Sequence, residues 1–132
     1  MIYFYFTGQL KNKRKLEQFG NHVLNDLCGN IGHAVDIEVR SEKELKGAMG
    51  YCHGDKEHVI IELARGQYLD DEYIKYEFDE TLITFAHELV HAKQLIEGCT
   101  FESRKSHKGR DQREVEAYGL EYKLVRRHWN PN

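Results

Sequence analysis

The sequence predicts an α+β domain, and three observations predict it. Residues 2–7, 34–39 and 58–64 carry the aromatic and β-branched residues that strands favour. Apolar residues recur at helical spacing over about 12–28, 80–97 and 111–127. The resulting order is β-α-β-β-α-α, strands early and helices late, which favours segregated layers.

The first strand, Ile2-Tyr3-Phe4-Tyr5-Phe6-Thr7, ends at Gly8. From Asn12 to Cys28, the residues Leu16, Phe19, Val23, Leu24 and Leu27 form a helical stripe closed by Gly29. Ala34, Val35, Ile37 and Val39 alternate imperfectly with polar residues, a second strand, and 42–47 reads as a short helical turn. After a turn at Gly54-Asp55-Lys56, His58–Ala64 forms a third strand, with Gly66 at its exit. The long helix spans about Glu80 to Glu97, with Asp79 as its N-cap and Gly98 beyond its end. Residues 98–110 are polar and basic without a period and read as a loop. The last helix runs from about Asp111 to Arg127, with Ala117, Leu120 and Leu124 on one stripe. Gly119 in its middle costs about 1 kcal/mol relative to alanine, an expense expected to reflect close helix packing. Trp129 is expected to cover the edge of the core.

The chain of 132 residues fits a single domain over 1–132. Its one proline, Pro131, divides nothing, and there is no repeat or low-complexity tract. Twenty-two acids against nineteen bases leave a net charge of −3, which argues against a surface built for nucleic acid. Charged residues at 31% are balanced by 11% aromatics, so disorder is not expected. The longest apolar run, Met1 to Phe6, is far short of a membrane span and too short for a secretory signal. Three cysteines (Cys28, Cys52, Cys99) without C-x-x-C spacing read as free thiols in a reducing cytoplasm.

The chemistry is concentrated in His87-Glu88-Leu89-Val90-His91, an H-E-x-x-H motif inside the long helix. Positions i and i+4 share a helix face, so both imidazoles can reach one metal ion. A catalytic zinc takes three protein ligands and leaves a position for water. Glu88, one residue on, is turned about 100° around the helix, beside that open position, where a carboxylate can take a proton from acidified water. Leu82, Phe85, Ala86, Leu89, Leu95 and Ile96 make the helix largely apolar, as a helix buried beneath a sheet requires.

Three residues compete as third ligand. Glu114 shares a face with Ala117, Tyr118 and then Glu121 and begins the stripe Ala117, Leu120, Leu124 that is expected to be buried, and the small Ala117 lets the last helix approach His87 and His91. Glu116 points elsewhere, toward Arg113, Lys123 or solvent. His107 lies in the basic loop Ser106-His107-Lys108-Gly109. Glu114 is favoured.

His87-Glu88-x-x-His91 followed by Glu114-x-Glu116-Ala117 resembles the zincin metallopeptidases of the gluzincin type, and the small ImmA/IrrE-like metallopeptidases of bacteria and phages. The resemblance covers about Val59 to Leu124. It implies a zincin-like α+β fold: a small mixed sheet, an active-site helix and a following helix that bears a ligand. His87, His91 and Glu114 would hold Zn2+ and Glu88 would be the general base of a peptide hydrolase acting on a protein or peptide. The strand His58–Ala64 would be the edge strand of the cleft, with a substrate peptide extended antiparallel along it. Many gluzincins support the first histidine with an acidic or amide residue four places after the third ligand; here that residue is Tyr118. SprT-like proteases use a histidine from a later loop, which would bring in His107 and, as phosphate contacts, Arg104, Lys105, Lys108 and Arg110. A regulatory module that binds zinc without cleaving would close the site with a fourth ligand such as His107 or Cys99.

Overall fold

The computed structural model describes residues 1–99 and 112–131. Its elements are β1 (Ile2–Thr7), α1 (Lys13–Cys28), β2 (Val35–Glu42), β3 (Gly50–Gly54), β4 (His58–Ala64), β5 (Gly66–Leu69), β6 (Glu72–Lys75), α2 (Phe78–Ile96) and α3 (Gln112–His128). They form a small α+β fold in which β1, β2, β4 and β3 make one mixed sheet, in that order. β1 and β4 run parallel to β2, while β3 runs antiparallel to β4. β5 and β6 form a separate hairpin.

Strand alternation sets the sheet's two faces. Val35, Ile37 and Val39 of β2 and Val59, Ile61 and Leu63 of β4 turn inward and are fully buried under α1 and α2. Tyr3 and Tyr5 of β1 point to the other face and remain about half exposed, at 49% and 50%. Phe4, Phe19 and Phe85 meet at the centre of the core, and Trp129 closes its edge against Phe19 and Phe78 at 5.9 and 5.6 Å between ring centroids. None of the helices described is long and apolar enough to cross a membrane.

Four sequence expectations are corrected. Residues 42–47 are not helical: β2 runs to Glu42, and a turn at Gly47 (φ 76°) joins Leu45 and Ala48 in an isolated bridge. The strands β3, β5 and β6 were not expected. β3 is five residues bracketed by glycines, too short for alternation to register, and the hairpin turns on Asp70 and Asp71, both at positive φ (49° and 65°). Helix α2 begins two residues early, because Glu77 rather than Asp79 caps it: the Glu77 carboxylate accepts the Glu80 amide while Glu80 accepts the Glu77 amide at 3.0 Å. Finally, β4 is not an edge strand. It lies between β2 and β3, and the open edge on that side belongs to β3.

That edge has a defined polarity. The Met49 carbonyl accepts the Ala64 amide, and the Asp55 amide donates to the His58 carbonyl, each at 2.9 Å. Residues two apart repeat this orientation, so the amides and carbonyls of Gly50 and Cys52 face away from β4.

Candidate metal centre

Helix α2 is buried along most of its length, and its apolar residues lock it against the sheet. His87, Glu88 and His91 are carried into the interior with it, at 8%, 5% and 5% exposure. Each would be costly there without partners. Nδ1–H of His87 donates to Glu121 Oε2 at 2.8 Å, and Nδ1–H of His91 donates to Gln94 Oε1 at 2.8 Å. The amide of Gln94 cannot be reversed, since its nitrogen donates to the Arg113 carbonyl at 3.1 Å and to Glu116 Oε1 at 3.0 Å. Both imidazoles are thereby held with Nε2 turned toward Glu114.

Those two Nε2 atoms meet the Glu114 carboxylate. Glu114 Oε1 is 3.2 Å from His87 Nε2 and also contacts His91 Nε2, and the three ligand atoms lie within 4.8 Å of one another. Two imidazole nitrogens and a carboxylate oxygen directed at one spot could hold a metal ion between them. An ion held at 2.0–2.1 Å in tetrahedral geometry sets its ligand atoms about 3.4 Å apart. The donor set and its anchored tautomers fit a metal ion, and among the described residues no fourth ligand joins the group.

The other candidates fall elsewhere. Glu116 forms a 2.8 Å ion pair with Lys93 of α2, a partner the sequence reading did not foresee. Burial raises the Glu116 pKa, but the bonds from Lys93 and Gln94 outweigh it and hold the carboxyl below its ordinary value. Cys99 is exposed and outside the group. His107 and the basic residues 104, 105, 108 and 110 lie outside the described residues. Tyr118 does not support His87 as expected. Its ring packs edge-on to the imidazole at 4.6 Å, and the support comes from Glu121, one turn further along α3. Glu121 shares the face predicted for Glu114, so its placement was legible although its partner was not.

The His87, His91 and Glu114 group opens onto a groove of about 790 Å³. β3 lines one side with Gly50, Tyr51 and Cys52, and α3 lines the other with Tyr118 and Tyr122. Glu88 lies in the same groove. Beneath it the Cys52 thiol is pushed well above its ordinary pKa by burial and then by the charge of Glu88, so it stays protonated. Comparison of the chain with protein-family models, with curated proteins and with solved structures finds no match.

Proposed function

We propose that this protein is a zinc-dependent peptide hydrolase of the zincin type. The observation that carries the reading is the convergence of His87 Nε2, His91 Nε2 and Glu114 Oε1 on one point in an open groove that also holds Glu88. With three ligands rather than four, such a centre keeps a position for water. Bound zinc supplies Lewis acidity, polarising a scissile carbonyl and acidifying water.

The chain's own residues do the rest. Glu88, buried in the groove wall, accepts the proton of the attacking water and delivers it to the leaving amine. Glu121 and Gln94 hold the imidazoles in the tautomer that binds metal. The outward amide and carbonyl of Gly50 and Cys52 offer hydrogen bonds to an extended peptide lying along β3, the role that the resemblance assigns to the strand His58–Ala64. Three free thiols suit a reducing compartment such as the cytoplasm.

The test is metal content and hydrolysis on protein purified without chelator. About one zinc per chain is expected for wild type and Glu116→Ala, with loss in Glu114→Ala. Glu88→Gln should keep its zinc and lose at least about 100-fold in turnover of casein or a fluorogenic peptide mixture. Full turnover in Glu88→Gln would remove the mechanism. Zinc lost on His107→Ala would move the third ligand, and no zinc after its addition would end the enzyme reading.

A further inference from the structure

Gly50 opens β3 at the groove. Its backbone is outside the left-handed region occupied by Gly29 and Gly47 (φ 63° and 76°), so conformation does not require glycine there. Space does. A Cβ at Gly50 would stand 2.7 Å from Thr84 Cγ2, 3.0 Å from Glu88 Oε2 and 3.1 Å from Glu88 Cγ. Thr84 and Glu88 are one turn apart on α2 and share the face turned to β3. At Gly20 the equivalent space is filled by the Phe4 ring, which is core packing. At Gly50 a carboxylate takes part of it.

We infer that Gly50 is a positioning residue: its missing side chain seats the Glu88 carboxylate against the β3 backbone and so sets where that carboxylate stands beside His87, His91 and Glu114. The inference rests on Glu88 acting as the base, as proposed above, and it adds the strand residue that aims it. A glycine inside a strand marks a close approach of another group, here the group that moves the proton.

The contacts with Thr84 and with Glu88 can be separated. Thr84 Oγ1 donates to the Glu80 carbonyl at 2.9 Å, so Thr84→Ser keeps that bond and removes only the crowding methyl. Gly50→Ala should lose stability from the methyl clash, and Gly50→Ala/Thr84→Ser should recover it, melting within about 2 °C of Thr84→Ser. The double variant should still bind one zinc per chain. In its crystal structure the Glu88 carboxylate should be displaced by about 0.5 Å or more, beyond the tolerance of a working site. On a peptide cleaved by wild type, kcat should fall at least about tenfold with KM nearly unchanged. If the carboxylate keeps its wild-type position, or if removing the methyl restores kcat, Gly50 merely spaces β3 from Thr84 and the inference is wrong. If the carboxylate moves but wild type itself cleaves nothing, the seat stands and the hydrolase reading falls.

Discussion

Helices α2 and α3 both supply groups that could hold a metal ion, yet they are held in place by different physics. Twelve of the nineteen residues of α2 are buried, so its position follows from the core and does not depend on the site it carries. On α3 only Arg113, Ala117, Glu121 and Leu124 are buried, and two of these are ionisable. What draws α3 against α2 is in good part polar: Glu121 on His87, Glu116 on Lys93, and the Arg113 carbonyl on Gln94. A site built this way has one rigid wall and one wall whose docking is coupled to the site's own chemistry. Metal binding should therefore stiffen α3 and leave α2 as it was.

Substitutions on the two helices should separate these contributions. The largest effect belongs to α2: Phe85 is fully buried, with Phe19 at 6.1 Å and Phe4 and Phe6 at 6.5 Å. Phe85→Ala should cost about 3–5 kcal/mol in chemical denaturation. Tyr118→Ala on α3, 65% exposed, should cost less than about 0.5 kcal/mol although its ring touches His87. Equal losses would erase the contrast.

Next in size is the coupling of α3 to the metal. Zinc in hundredfold excess over its dissociation constant should stabilise the protein by about 2.7 kcal/mol in thermal melts. Glu121→Gln should weaken zinc binding about 10–100-fold, because it removes the carboxylate that fixes the His87 tautomer. Hydrogen exchange would locate the effect: added zinc should slow exchange in α3 more than in α2, and uniform slowing would contradict the two-wall picture.

A smaller effect, of opposite sign, is expected at Gly119. The sequence suggested close packing there, but the residue is exposed and a Cβ would meet nothing within 4 Å. Gly119→Ala should therefore stabilise α3, by up to about 1 kcal/mol. A loss of stability would mean that another group covers that face.

The smallest effect is at the far end of α3. Asp26 of α1 accepts from His128 Nε2–H and Arg127 Nη1, each at 2.8 Å, and these bonds hold its carboxyl below the ordinary 3.8. A carboxyl lowered on folding adds stability above its unfolded pKa and loses it as pH falls through the lower, folded value. The pair is largely solvated, so Asp26→Asn should lower the melting temperature by only about 2 °C at neutral pH. The difference should vanish in acid, well below pH 3.8. A difference that persisted there would have to come from packing.

Much of this was legible in the chain order of residues. The i, i+4 spacing of His87 and His91, the apolar run around them and the face shared by Glu114, Ala117 and Glu121 are local periodicities, and local geometry converts them directly into a helix face. The helices and the three longer strands followed from the same rule. Harder to read were elements of four or five residues, where a period has no room to repeat, and the Glu77 cap, which depends on a reciprocal bond rather than on a favoured residue type.

The amino-acid sequence by itself determined that two imidazoles would share one helix face with a carboxylate turned about 100° from them, and that a later helix would bring further carboxylates on its own inner stripe. Only the tertiary structure decided which glutamate meets the imidazoles, that Glu121 rather than Tyr118 steadies His87, and that β3 rather than β4 forms the rim of the groove. Those choices depend on how α3 docks and on the order of strands in the sheet. Both are contacts between segments far apart in the chain, and they are chosen by burial and hydrogen-bond satisfaction summed over the whole fold.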